Sequence, residues 1–121
     1  MMPKSYEIDL PWPPSLNNYR SCIRNRLTTV EAGRVYFEEV AWRIRLAKLH
    51  KENINQPVLI NLTMCPPTRR KFDCSNFLKA YEDALVKSGF LADDHWIEYG
   101  GIRKGETVKN GLLNVKINLL E

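Results

Sequence analysis

Hydrophobic and polar residues alternate in SYEIDL, residues 5–10, with Tyr6, Ile8 and Leu10 on one side and Glu7 and Asp9 on the other. A period of two is that of a half-buried strand. The run stops at PWPPS, because proline supplies no amide hydrogen and resists helix. A polar loop carrying Asn17, Asn18, Arg20, Arg24 and Arg26 is expected next. From about Glu31 to Lys51 the period becomes helical, with Thr28 or Thr29 placed to cap the first turn. At about 100° per residue, Phe37, Val40, Ala41, Ile44 and Ala47 form one apolar stripe. Val35, Trp42, Leu46 and Leu49 form a second on roughly the opposite side. One stripe is expected to pack on the domain's own sheet, and in so small a protein a second copy of the chain could cover the other.

PVLINLTMC returns to strand period, with Val58, Ile60, Leu62 and Met64 facing one way. PPTRRKFD then breaks the strand and crowds Arg69, Arg70 and Lys71 ahead of Asp73. A helix is predicted from about Ser75 to Ser88, stopped by Gly89, with Lys87 favourably placed in its last turn. WIEYGGIRK and LLNVKINLL read as two strands joined by the Gly105 to Gly111 loop, an antiparallel hairpin. The expected fold is therefore a single small α/β (α+β) domain spanning residues 1–121, in the order β-α-β-α-β-β. It has a mixed sheet and two helices, with no internal repeat, low-complexity tract or linker.

A chain of 121 residues suits one compact domain with a real core. Eighteen Lys and Arg against fourteen Asp and Glu give a formal charge of +4, which suits a polyanionic partner without requiring one. The opening MMPKSYEIDL lacks the apolar run of a signal peptide, and nowhere do about eighteen apolar residues follow one another. A cytoplasmic protein without a membrane partner is expected. Cys22, Cys65 and Cys74 form no CxxC pair and have only His50 and His95 for company. Packed, reduced thiols are expected rather than a zinc site or a disulfide framework.

The chemistry gathers around the second predicted helix. At 3.6 residues per turn, Asn76, Lys79 and Asp83 fall within about 60° of one another. Phe77, Tyr81, Ala84 and Leu85 occupy the sector expected to face the core. Asp73 precedes this helix, and Asp93 and Asp94 follow it where a strand begins. A strand-helix-strand path could bring these carboxylates together, and magnesium would be the reason. It prefers oxygen ligands and is commonly held by one or two carboxylates plus substrate phosphate oxygens. Lys79 would offset charge on the scissile phosphate, and Arg69, Arg70 and Lys71 would draw in the nucleic-acid backbone. Together these describe a metal-dependent nuclease. Each part also has a plainer reading: Asp73 as a helix cap, Lys79 and Asp83 as an exposed i,i+4 pair, DD as a turn, RRK as a solvated loop, and Trp12 and Trp96 as packing residues.

PWPPSLNN, DCSNFLKAYEDAL and GFLADD resemble the RusA family of Holliday junction resolvases in content, order and spacing, over nearly the whole chain. The resemblance implies a homodimeric, Mg2+-dependent endonuclease that binds four-way junction DNA and makes paired symmetrical nicks during recombination and repair. Its two sites, related by a dyad, would match the two-fold character of the junction. Small resolvases of this kind often look phage- or prophage-encoded. The family's D-x-D-N-x-x-K pattern and later D-D pair imply catalytic roles for Asp73, Lys79 and Asp94, and metal ligation by Asp73 and Asp94, with Asp83 as a further acid. Ser75, Asn76 and Asp93 would support them, and Arg69, Arg70, Lys71, Asn17, Asn18 and Arg20 would contact DNA. Ser75 departs from the pattern, standing where the second aspartate is usual. A hydroxyl is a far weaker magnesium ligand than a carboxylate, although it caps a helix nearly as well. The competing readings are a dimer that binds branched DNA but lost its activity at Ser75, and a small nucleotide phosphohydrolase. The latter is disfavoured because no GxxxxGK[ST] loop is present.

Overall fold

The computed structural model describes residues 4–16, 20–23, 26–29 and 31–120. Strand β1 (Ser5–Leu10) is followed by a short antiparallel ribbon of β2 (Arg20–Ile23) and β3 (Arg26–Thr29), then helix α1 (Glu31–Leu46). Strand β4 (Val58–Cys65), a 3-10 turn (Cys74–Phe77) and helix α2 (Leu78–Lys87) come next. A second 3-10 turn (Asp94–Trp96) leads into β5 (Ile97–Lys104), and β6 (Leu112–Leu119) completes the sheet.

The principal sheet has the order β1-β6-β4-β5. Strand β4 pairs in parallel with β5 and antiparallel with β6, and β6 pairs antiparallel with β1. The sheet is thus mixed and carries two α-helices, as the hydrophobic pattern predicts. Alternation holds on every buried strand: Ile8 and Leu10, the four residues Val58, Ile60, Leu62 and Met64, and Leu113, Val115 and Ile117 all lie in one core. Glu7, Asp9, Asn61, Lys116 and Asn118 are exposed on the other face. Tyr36, Val40 and Ile44 of α1 and Ala80, Tyr81, Ala84 and Leu85 of α2 close the apolar side. No described helix is long and apolar enough to cross a membrane.

Five expectations change. The helix expected from about Ser75 opens instead as the 3-10 turn Cys74–Phe77, and regular α2 begins only at Leu78. The WIEYGGIRK and LLNVKINLL strands do not form a hairpin, because β4 lies between them. The Gly105–Gly111 link instead crosses the end of β4, where the Gly105 amide donates to the Met64 carbonyl and the Val108 amide to the Pro66 carbonyl. Within the expected polar loop, residues 20–23 and 26–29 pair as a ribbon, which places Thr28 and Thr29 in its second strand, with their side chains outside the described residues. Helix α1 stops at Leu46 instead of Lys51, as Lys48 turns left-handed at φ 61°. Its core face gains Tyr36 beside Phe37, which is half-buried against the core as expected, while Ala47 is exposed. The aromatic ring of Tyr36 supplies apolar area, and its hydroxyl donates to the Pro11 carbonyl at 2.9 Å, tying α1 to the PWPP segment.

The loop after α2 is fixed by backbone pairing. Gly89 adopts φ +86° and accepts from the Asn53 amide, Ile54 donates to Phe90, and Ala92 donates to Ile54. These bonds aim the Ala92–Asp94 segment back toward the exposed side of α2. In β5 the register with β4 slips between Ile60 and Asn61, so that Gly100 is an extra residue. A Cβ there would stand 2.7 Å from Asn61 Oδ1, so any larger residue at the bulge would displace that side chain.

Candidate active site

Helix α2 buries Ala80, Tyr81, Ala84 and Leu85, so the spacing of 3.6 turns Lys79 and Asp83 outward together. Lys79 Nζ donates to Asp83 Oδ1 at 2.9 Å and stands 3.6 Å from Asp94 Oδ2. An ammonium therefore sits between carboxylates from two elements, the helix and the turn before β5. Lys79, Asp83, Val86, Ala92, Asp93 and Asp94 line an open groove of about 400 Å³.

Asp93 fixes the turn that presents Asp94. Its carboxylate accepts from the His95 amide at 3.0 Å, and His95 Nδ1 lies 3.1 Å away. The amide and imidazole bonds hold the Asp93 carboxyl below its ordinary range. Beyond it, the Trp96 indole donates to Asn55 Oδ1 at 3.0 Å, and the His95 ring lies against Trp96.

At the other end of the motif, Asp73 is exposed and precedes the 3-10 turn without capping it through its side chain. Its carbonyl accepts from the Asn76 amide. Ser75 is exposed within this turn, and the cap position of α2 is taken by Phe77, so neither Asp73 nor Ser75 does the capping their residue types suggest. Asn76 lies in the 3-10 turn, before the regular helix that places Lys79 and Asp83 on one face. Among the described residues, no three His, Cys, Asp or Glu side chains stand together as a ready-made metal site.

Glu82 is the site-proximal residue the sequence reading passed over. It is half-buried, and Tyr99 of β5 donates to its Oε2 at 2.7 Å, while the Tyr81 and Tyr99 hydroxyls are also 2.7 Å apart. Burial pushes the Glu82 carboxyl up, and the negative charges of Asp94 and Asp83 add to this. The Tyr99 bond and the Lys79 charge oppose it. Burial likewise raises Tyr81 and Tyr99, so both phenols stay protonated and serve as donors. The signal was present in the sequence as an acid three residues after Lys79.

Arg69, Arg70 and Lys71 are exposed, and the Arg70 amide donates to Thr68 Oγ1. Asn17 and Asn18 lie outside the described residues, as does the side chain of Arg20. Cys65 and Cys74 are free, half-buried thiols. Trp12 packs against Phe72 and Phe77, with ring centroids 5.3 and 5.1 Å away.

The chain matches the family described as Endodeoxyribonuclease RusA over residues 11–118. It belongs to the RusA family. Among its relatives, the crossover junction endodeoxyribonuclease RusA of Escherichia coli strain K12 is 37% identical over 113 residues, covering 93% of each chain. Proteins of the same name from Enterobacteria phage 82 and from Shigella sonnei strain Ss046 are each 36% identical over 113 residues, again covering 93% of each chain. The RusA match spans both halves of the groove, from the PWPP segment through α2 to β6.

Proposed function

We propose that this protein is a magnesium-dependent, homodimeric resolvase that cuts four-way DNA junctions by paired symmetrical nicks. The observation that carries the reading is Lys79 held between Asp83 and Asp94 at the mouth of an open groove, in a chain of the RusA family. The donor chemistry suits magnesium: Asp83 and Asp94 offer hard oxygen, and the ammonium between them marks a position that favours a cation. Asp73 and Asp94 are the ligands expected of the family motif, with Asp83 beside them. When bound, the ion would polarise a phosphate and lower the pKa of an attacking water.

This chain's residues do the rest. Lys79 offsets negative charge that grows on the phosphate or on the leaving oxygen. Asp83 and Asp94 hold the ammonium in place, and Asp93 holds the turn that presents Asp94. Asn76 supports the turn that begins at Asp73. Arg69, Arg70 and Lys71, with Asn17, Asn18 and Arg20, take the DNA backbone. Two copies meet through the exposed face of α1, which gives two active sites for the two strands to be cut. The work is done on cytoplasmic DNA.

A second reading is favoured by Ser75, a hydroxyl where the family motif carries an acid: a dimer that binds branched DNA without cutting it. A cleavage assay on a synthetic four-way junction and a linear duplex of the same sequence, with magnesium or EDTA, separates the two. The expected result is paired nicks in the junction alone, abolished by EDTA and by Asp73→Asn. Tight junction binding with no nick would establish the binding protein instead. Ser75→Asp should raise cleavage by less than about threefold if Asp83 already supplies the second acid, whereas a gain near the 10²-fold typical of a lost electrostatic group would mean that it does not.

A further inference from the structure

A second feature lies on the same stretch of chain as Asp73. Trp12, Phe72 and Phe77 meet nearly edge to face or tilted, with Phe72 and Phe77 centroids 5.9 Å apart, and together with Pro67 they line an open recess of about 360 Å³. All three rings are half-buried, unlike Tyr81 and Phe90, which the core encloses fully. Ring surface thus remains open to solvent. Gly111, at φ +75°, packs so closely that a Cβ there would stand 2.5 Å from Trp12 Cβ. Phe72 is pinned by Lys104, whose Nζ donates to the Phe72 carbonyl at 2.7 Å and lies 4.5 Å from the ring centroid. Arg70 and Lys71 stand at the mouth of the recess.

We propose that this recess receives an unpaired nucleobase of the bound DNA, taken from beside the branch point. The inference rests on the nuclease reading above. A flat base with a π-face on each side, carried on an anionic phosphodiester, matches aromatic walls under a cationic rim. An apolar peptide would leave the cations unexplained, and an acidic one the rings. Base–aromatic stacking tolerates any base, because every base has a π-face. Drawing a base out costs least where pairing and stacking are already interrupted, as at a branch point and not in a linear duplex. Phe72 directly precedes Asp73, and Phe77 closes the turn that contains Ser75 and Asn76. A base seated between these rings lays its own phosphate alongside the acidic segment, so the recess selects branched DNA and sets which phosphodiester is cut.

The test uses the full-length protein in EDTA with a four-way junction carrying one 5-iododeoxyuridine, moved base by base away from the branch point. Irradiation should cross-link Trp12, Phe72 or Phe77 from one or two positions next to the branch, and from none in the linear duplex. Phe72→Leu and Phe77→Leu keep apolar volume and remove the π-face. Each should lower the cross-link yield at least fivefold and weaken junction binding roughly five- to a hundredfold, the range that loss of one base–aromatic stack produces. Normal junction binding with no cross-link to these rings overturns the recess as a base site and leaves the nuclease reading standing. Failure of the wild-type protein to bind the junction at all overturns both.

Discussion

Lys79 is clasped by two carboxylates that come from different elements, and this makes its removal more than the loss of one charge. In Lys79→Met the Asp83 and Asp94 carboxylates would face one another without the cation that now separates them. Single-turnover junction cleavage is expected to fall at least about 10²-fold, with junction affinity changed far less. Glu82 gives a prediction of the opposite sign for stability. Its folded-state pKa is raised, mainly by burial, so the folded protein holds this proton more tightly than the unfolded chain does. The stabilising contribution is therefore present below the unfolded value of about 4.3 and is lost as pH rises through the folded value. Glu82→Gln in EDTA should raise Tm at pH 7, and the gain should vanish as pH approaches 4. An equal gain at both pH values would show that the carboxylate's charge is not what costs stability. The Lys79–Asp83 pair is legible in the sequence because both lie within one regular helix. Asp94 joins it only through the path of the chain, which spacing alone does not give. Glu82 escaped notice because its partner, Tyr99, stands beside a bulge that interrupts the alternation of β5.

Strands β1, β4 and β6 and most of α2 could be read from periodicity, since each packs one clean face into the same core. The hairpin expectation failed for a reason that local pattern cannot reveal. Strand β4 buries all four of its inward residues and takes a central place, whereas β5 keeps more than half of its residues exposed and lies at the edge, so β4 comes between β5 and β6. The β2–β3 ribbon was missed because its strands, RSCI and RLTT, are only four residues each, too short for a period of two to show. The end of α2, by contrast, was correctly placed by Gly89, and this site can be tested directly. Its φ of +86° disfavours any L side chain, and a Cβ would stand 2.3 Å from the His50 carbonyl oxygen. Gly89→Ala should cost more than about 2 kcal/mol, from the left-handed conformation and the backbone contact together. In urea the midpoint should fall while the slope stays constant. A loss under 0.5 kcal/mol, the size of an ordinary surface substitution, would mean that the 50–54 segment yields easily.

In the whole molecule, the second apolar stripe of α1 is left outside the core. Val35 is 45% exposed, Trp42 62% and Leu46 65%, while Leu49, the fourth member of that stripe, packs against the core. The double variant Trp42→Glu, Leu46→Glu should convert the proposed dimer to a monomer in size-exclusion chromatography with light scattering, with little change in Tm at low protein concentration. Persistence of the dimer would place the interface elsewhere. The order of strands has a further consequence for how the molecule comes into being. Lys79, Asp83 and Asp94 all belong to the continuous β4–α2–β5 unit, residues 58–104, whereas β1 reaches its place only by pairing Ser5 with Asn118. Loop closure over a short stretch costs less entropy than closure over nearly the full chain. The proposed catalytic cluster thus depends on contacts of shorter sequence separation than the outer edge of the sheet does, and its closure is expected to precede the docking of β1.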